Sequence, residues 1–317
     1  MNNLLRYRKL NSSFEKEYIF HIGAEAGFYS EFCNMVSAIL YCLQHHYKFI
    51  LYSKDANFGF DNGWRDYFLP FCDETTFFIH KKYNYRKIQT ASNPKKNLLV
   101  KLYKYFNKNT MFTYDLWDEY FCKKFDEVYF DIPELQINGN LQQASAIIVD
   151  MIYRFNENTL KNIEEYPIQF DKYLSMQIRR GDKITECSLP PIQRYFEEAQ
   201  KNNIKQVFML TDDYKVIEDI RVLYSEWEII SFVNQNEKGY YHKEFESLNK
   251  EEKRKNLIKL FASVELIRRS DLFIGTYTTN VGLFLGMAMP REKIKSIQKI
   301  KWNRFDNKDV LQELVSN

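Results

Sequence analysis

The stretch Tyr173-Leu174-Ser175-Met176-Gln177-Ile178-Arg179-Arg180-Gly181-Asp182-Lys183 runs from an apolar segment straight into a glycine and four charged residues. An apolar run of this length bounded by a glycine turn reads as a buried strand, Tyr173–Ile178, with its carboxyl end marked by two arginines. Downstream, helices and strands alternate at the spacing of a doubly wound sheet. The pattern predicts a helix over Pro190–Lys201, a strand over Val207–Leu210, a helix over Tyr214–Tyr224 and a strand over Glu228–Phe232. A long helix, Asn249–Arg269, a strand, Asp271–Gly275, and a helix, Thr279–Met287, ended by Pro290, complete this half. Upstream, a short apolar strand at Tyr18–Ile22, a glycine turn at Gly23–Gly27, a helical run from Ser30 to His46 and a strand at Phe49–Tyr52 form a β-α-β unit. Such a unit implies a second parallel sheet.

Between these halves the pattern is weaker. Asn62-Gly63-Trp64 marks a turn, Lys95–Phe106 is basic and aromatic, and Leu141–Arg154 reads as a helix. No topology follows for 70–168. A change of character near Pro167–Lys172 gives three expected segments: an α/β domain over 1–168, a Rossmann-type domain over 169–300, and a C-terminal helix over 301–317 packing back on the first domain.

Composition sets outer bounds. With 317 residues, 45% hydrophobic and 27% charged, the chain is a folded globular protein and not a disordered tail. Lys+Arg 45 against Asp+Glu 42 leaves a net charge of +3, too small for the field that drives nonspecific nucleic-acid binding. The five cysteines, Cys33, Cys42, Cys72, Cys122 and Cys187, are scattered without a Cys-x-x-Cys, which suits reduced thiols in the cytoplasm. The first ten residues lack the continuous apolar core of a signal peptide or membrane anchor. A cytosolic protein, working in solution or at a membrane face, is expected.

In an open parallel sheet, ligands bind beyond the carboxyl ends of the strands. Three polar groups stand there: Arg179 to Lys183, Thr211-Asp212-Asp213, and Gly275-Thr276-Tyr277-Thr278-Thr279-Asn280. Two guanidinium forks followed by glycine suit phosphate oxygens, and they can stabilise the charge on a departing nucleoside diphosphate without a metal ion. Thr278 and Thr279, at a helix start, can offer hydroxyls and backbone N–H groups to the same diphosphate. Each group has a plainer reading. One arginine can pair with Asp182, Thr278 or Thr279 can be a helix cap, and Asp212 and Asp213 can be N-caps or supports of the site. No Asp-x-Asp stands at a usable strand end, so a metal-binding residue set is not expected. Glu186 is the candidate base that takes a proton from an acceptor hydroxyl, against a solvated loop carboxylate. Arg180-Gly181-Asp182 spells an adhesion tripeptide, discounted because it ends a strand.

These residues resemble the alpha-1,6-fucosyltransferases, whose fingerprint is a His-x-Arg-Arg-x-Asp-Lys run at a strand end. Gln177 to Lys183 matches it except at the first position. Thr211-Asp212-Asp213 and Ser270-Asp271 through Val281 are similar to later motifs, and Gly27, Gly63-Trp64, Tyr67-Phe68 and Pro70 to amino-terminal blocks. The resemblance implies a GT-B-like α/β fold of two Rossmann-type domains facing across a cleft, GDP-fucose as donor, no cofactor, no divalent metal and inversion at the anomeric carbon. By the same resemblance Arg179 and Arg180 hold the diphosphate, Thr279 contacts it, Gly27 belongs to the donor loop, and Asp182, Lys183 and Glu186 are active-site residues. The resemblance also puts the acceptor side in 1–168 and nucleotide-sugar binding in 169–300; an oligosaccharide or glycolipid is the expected acceptor and nucleic acid is not a partner. Two departures concern the base. Gln177 and Ser263 stand where the family places a histidine and an aspartate that read guanine. Ser263 cannot supply that carboxylate, so either Glu265 takes the role or the donor is not a guanosine nucleotide.

Three rival readings remain. A related transferase using another nucleotide sugar or making an alpha-1,2 linkage is one, although the Ser-Trp-Trp expected of the latter is missing. A noncatalytic nucleotide- or carbohydrate-binding protein of the same fold is another. The last is nucleic-acid binding through Lys95–Lys108, disfavoured by the small net charge against a solvated basic helix face near an acidic acceptor or a membrane.

Overall fold

A computed structural model describes residues 2–86, 94–181 and 189–305, apart from the side chains of 94–97 and 242. The expected roles of Asp182, Lys183 and Glu186 therefore lie outside the described residues, as does the expected helix beyond 305. The chain divides into two compact units, Met1–Thr159 and Leu160–Asn317. Both are α/β with parallel sheets, as the alternation of strands and helices predicts.

The first unit comprises α1 (Asn3–Ser12), β1 (Lys16–His21), α2 (Phe28–Gln44), β2 (Tyr47–Tyr52), β3 (Asp73–Glu74), α3 (Ile79–Tyr83), α4 (Pro94–Phe106), β4 (Thr110–Phe112), α5 (Thr113–Tyr120), β5 (Tyr129–Ile132), β6 (Ile137–Asn140) and α6 (Leu141–Ile152), with α7 (Glu157–Glu164) at the division. Its parallel sheet has the order β3-β2-β1-β4, and β5 and β6 form an antiparallel hairpin. The expected β-α-β unit is present as β1, α2 and β2. Helix α2 buries residues on every side, including Phe28, Phe32, Val36 and Leu40, because the sheet and other helices enclose it. Its first turns stack on the segment after Gly63: Phe28 lies parallel to Phe68, and Phe32 to the fully buried Trp64. Gly63 adopts φ +62°, and a Cβ there would fall 1.9 Å from the Ser53 carbonyl oxygen, so the turn admits only glycine.

Several elements of this unit carry no clear periodicity. Residues 3–12 look like alternating charge in sequence yet form α1, which buries Leu4, Tyr7 and Asn11. Asn11 explains its place. Its amide donates to the Phe49 carbonyl at 2.9 Å and accepts from the Phe49 N–H at 2.7 Å, completing the outer hydrogen bonds of β2.

The second unit comprises β7 (Leu174–Ile178), α8 (Ile192–Ala199), β8 (Gln206–Thr211), α9 (Tyr214–Leu223), β9 (Glu228–Ile230), α10 (His242–Ser247), α11 (Lys250–Arg269), β10 (Leu272–Gly275), α12 (Asn280–Ala288) and β11 (Ile294–Ser296). The sheet is parallel with the order β11-β10-β7-β8-β9. The strand opening the reading is central. From β7 the chain winds outward through β8 and β9, then returns beyond β7 to β10, which puts a topological switch point between β7 and β10.

Alternation along β7 sorts its two faces. Leu174, Met176 and Ile178 join a core with Tyr195 and Phe196 of α8 and Val216, Ile217 and Ile220 of α9. On the other face Ser175 shares a 2.8 Å hydrogen bond with Ser270, just past α11, and Gln177 bonds Thr279 at the start of α12. Helix α11 opens with a reciprocal cap between Asn249 and Glu252 and ends in Arg268 and Arg269, both matched to the helix dipole. Residues 301–305 are irregular, with Trp302 donating to the Leu283 carbonyl at 3.0 Å.

Two buried rings in the first unit make its stability depend on pH. Desolvation lowers His21 to about 4 and His80 to about 3, and the Nε2 atom of each is buried without a partner. Both imidazoles are neutral in the folded chain, whereas an unfolded chain protonates them near pH 6.5. Between those values the unfolded state binds more protons, so stability is full above pH 6.5 and falls with pH. At pH 5 the loss is roughly 2 kcal/mol per ring. Thermal melts of the full chain should show a falling Tm from pH 7 to 5, and His80→Gln should flatten that slope whatever its effect at pH 7. An unchanged slope in the variant would contradict the neutral buried ring.

Candidate functional site

Beyond the carboxyl end of β7 the backbone leaves the sheet at Arg179 and turns at Gly181. Asp212, the residue after β8, organises this turn. Its Oδ1 accepts the Arg180 N–H at 2.7 Å, and its Oδ2 lies 2.9 Å from the Arg179 guanidinium and 2.9 Å from the Tyr240 N–H. Its own carbonyl accepts the Gly239 N–H at 2.8 Å. One residue thereby ties two strand ends to the loop between β9 and α10. The Arg179 guanidinium also sits over the Tyr240 ring, 4.6 Å from its centre.

Gly181 and Gly239 make this approach possible. Gly181 has φ +59° and Gly239 φ +103°. A Cβ on Gly181 would lie 2.5 Å from the Tyr240 backbone nitrogen and oxygen, and one on Gly239 would lie 2.6 Å from the Gly181 Cα. The chains touch backbone to backbone.

Arg180 differs from its neighbour. Its guanidinium is half-buried and donates to the Arg179 carbonyl at 3.3 Å, and among the described residues no acid pairs with it. The paired acids divide likewise. Asp213 caps α9, accepting the Lys215 N–H at 2.9 Å, while Asp212 has no capping bond and serves the turn.

At the switch point the threonines form a closed hydrogen-bond chain. Thr279 caps α12 by accepting the Gly282 N–H at 2.9 Å, and its hydroxyl donates to Gln177 Oε1 at 2.8 Å. The Thr278 N–H donates to Thr276 Oγ1 at 2.9 Å, and the two hydroxyls bond one another. Thr279 therefore spends its hydroxyl on the cap and on Gln177, while Asn280 opens α12. Gln177 is buried, and its orientation is set because its Oε1 is the acceptor. Ser263, buried on α11, donates to the Lys259 carbonyl at 2.7 Å. Glu265 pairs with Arg268 at 2.8 Å, a neighbour on its own helix. Gly27 lies in the first unit, where it precedes α2 and its carbonyl accepts the Ser30 and Glu31 N–H groups.

A cavity of about 340 Å³ opens at the carboxyl end of β9. Tyr166, Ser231 to Asn234 and the α11 residues Lys255, Asn256 and Lys259 line it. Lys259 is held at its edge by Glu237 at 2.6 Å. Sequence reasoning missed this cavity and the role of Gly239-Tyr240. The one available signal is a glycine beside two tyrosines in a polar loop, which does not say which strand end the loop will meet.

Among the described residues no group of three His, Cys, Asp or Glu side chains converges as a metal site. The described cysteines, Cys33, Cys42, Cys72 and Cys122, are free thiols, and no described helix is long and apolar enough to cross a membrane.

The geometry makes Asp212 and Gly181 the most sensitive positions outside the core. Gly181→Ala should displace Tyr240 and, for a positive φ, cost about 1–2 kcal/mol or more. Asp212→Ala should cost roughly 1.5–3 kcal/mol by orphaning two N–H groups and a guanidinium. Denaturant unfolding monitored by tryptophan fluorescence measures both, and a neutral Gly181→Ala would mean the two glycines do not touch.

No family model and no curated protein sequence matches the chain. Solved structures do. The fucosyltransferase NodZ from Bradyrhizobium superposes with TM-score 0.53 at 12% identity, covering 89% of this chain and 96% of that one. NodZ alpha-1,6-fucosyltransferase soaked with GDP-fucose superposes with TM-score 0.52 at 11% identity, covering 87% and 93%. The same enzyme co-crystallised with GDP gives TM-score 0.51 at 11% identity, again covering 87% and 93%. Nearly the full length of both proteins is shared, and at this identity what is shared is the α/β fold: the chain has the fold of the NodZ alpha-1,6-fucosyltransferase.

Proposed function

We propose that the chain transfers a sugar from a nucleoside diphosphate to an acceptor hydroxyl, and that the donor is GDP-fucose. The observation that carries this reading is the division of labour at the end of β7. Arg179 is neutralised by Asp212, while Arg180 keeps a guanidinium with no acidic partner among the described residues. A half-buried cation at a strand end beside a topological switch point suits a diphosphate. The relatives of like fold were solved with GDP-fucose and with GDP, which supports the choice of donor.

In this reading Arg180, and Arg179 held between Asp212 and the Tyr240 ring, stabilise charge on the departing diphosphate. Thr279 and Asn280 contribute backbone N–H groups at the start of α12 rather than free hydroxyls, and Thr278, whose own N–H is held by Thr276, shapes the turn that presents them. Asp212 positions the arginines, and Asp213 supports the site through its cap. Gly27 is assigned to the donor by the sequence resemblance alone. The acceptor oxygen attacks the anomeric carbon as the bond to the diphosphate breaks, the electron pair leaves on the phosphate oxygen, and the acceptor proton passes to Glu186. Asp182 and Lys183 are assigned to the active site by the sequence resemblance alone. Such a displacement inverts the anomeric centre and needs no metal, because the guanidinium groups supply the positive charge. The acceptor is an oligosaccharide or glycolipid, and the free thiols suit a reducing cytoplasm.

A thermal-shift panel tests the donor. GDP should raise Tm more than UDP, CMP or ADP, since a ligand bound only to the native state stabilises it. Arg180→Ala should lower turnover of GDP-fucose by about 10²–10³ with an unchanged circular dichroism spectrum. Arg179→Ala should lower it as well, with an added loss of stability because Asp212 loses its partner. Failure of every nucleotide to shift Tm, or full turnover in Arg180→Ala, would refute the assignment.

A further inference from the structure

Residues 77–108 contain nine Lys or Arg and no Asp or Glu, in a chain whose total net charge is only +3. The remainder of the chain is thus net negative. The same stretch carries the largest group of exposed apolar side chains among the described residues. On α4, Leu98, Leu99, Leu102, Tyr105 and Phe106 are 59%, 47%, 47%, 66% and 78% exposed. Phe77 and Phe78, which lead into α3, are exposed as well, and Phe77 stacks on Tyr103 of α4.

These residues are not scattered. At 100° per residue the five α4 side chains fall within one stripe about 120° wide. The inward side of the helix is already satisfied: Val100 is buried and Tyr103 packs with Ile79 and Phe112. Helix α4 thus has a second apolar face pointing away from its own unit. The cations beside it fall into two sets. Lys81 and Lys104 pair with Asp55 and Asp115. Lys82, Lys101 and Lys108 are exposed and have no ion pair among the described residues.

We propose that α4, with the adjoining Phe77-Phe78 corner, docks the protein on an anionic lipid surface. A helix lying in the interface buries an aliphatic and aromatic face in the headgroup region while lysines meet anionic headgroups. Leucines dominate the centre of this face. Stacking on nucleic-acid bases needs aromatic or guanidinium planes in a groove, which a convex leucine stripe does not provide. A second protein copy would bring the same lysines against themselves, whereas an anionic bilayer complements both features at once. The surface lies wholly within the first unit, and its assignment does not depend on the donor reading.

The test uses the full chain and phosphatidylcholine vesicles with or without phosphatidylglycerol. Co-sedimentation should be strong with the anionic vesicles and weak with the neutral ones. The triple variant Leu98→Asn, Leu102→Asn, Phe106→Ser should lower the bound fraction at least about tenfold, its lysines being intact. Separately, Leu102→Trp should give a blue-shifted emission on anionic vesicles, quenched by brominated acyl chains, which adsorption by charge alone would not produce. The proposal is overturned if wild type and triple variant bind alike. It is also overturned if the introduced indole stays in water, or if the triple variant instead abolishes a dimer or RNA binding while vesicles leave wild type unbound.

Discussion

The second unit is organised around one carboxylate. Asp212 receives two backbone N–H groups and a guanidinium from two stretches of chain, Arg179-Arg180 and Tyr240, that are far apart in sequence. At the free ends of β7 and β8 the sheet no longer supplies hydrogen bonds, so each strand end must find other partners. Asp212 supplies them from a single residue, and the result is a rigid turn that sets Arg179 against Tyr240 and leaves Arg180 apart. A neutral side chain of the same shape would keep some of these bonds and lose the pull on the guanidinium.

This arrangement also explains why two adjacent arginines are not equivalent. Successive residues leaving a strand point to opposite sides. Arg179 meets Asp212 with its guanidinium, Arg180 only with its backbone N–H. Among the described residues the first guanidinium is tied to an acid and the second is not. Capping follows the same economy: Asp213, next to Asp212, satisfies α9 and frees its neighbour. Thr279 satisfies α12 and fixes the amide of Gln177 in one step.

Much of the second unit was legible in sequence because β7, β8 and β10 are apolar runs and α8, α9, α11 and α12 are bounded by a cap or a proline, whereas the short and polar α10 and β11 gave no signal. The helix expected over Asn249–Arg269 is α11 with Asn249 as its cap, and the strand over Tyr173–Ile178 is β7 less its first residue. The first unit was harder. Its short strands β3 and β4 are two and three residues long, below any periodic signal, and its hairpin of β5 and β6 encloses a left-handed Gln136 rather than a glycine. Helix α1 was missed because its fold-determining residue, Asn11, is polar and acts through the backbone of β2. At the candidate site the strand-end residues could be read, since they follow apolar runs. The ion pair of Arg179 with Asp212 could not: it joins the ends of two different strands, and nothing in the sequence says that they are neighbours.

The contact of Gly181 with Gly239 has a bearing on how such a chain can diverge. Neither position can acquire a side chain while the other backbone stays in place. Drift at one is therefore conditional on retreat at the other, and the loop and the strand end must be inherited as a matched pair. The loop's anchoring point is thereby closed to change one residue at a time.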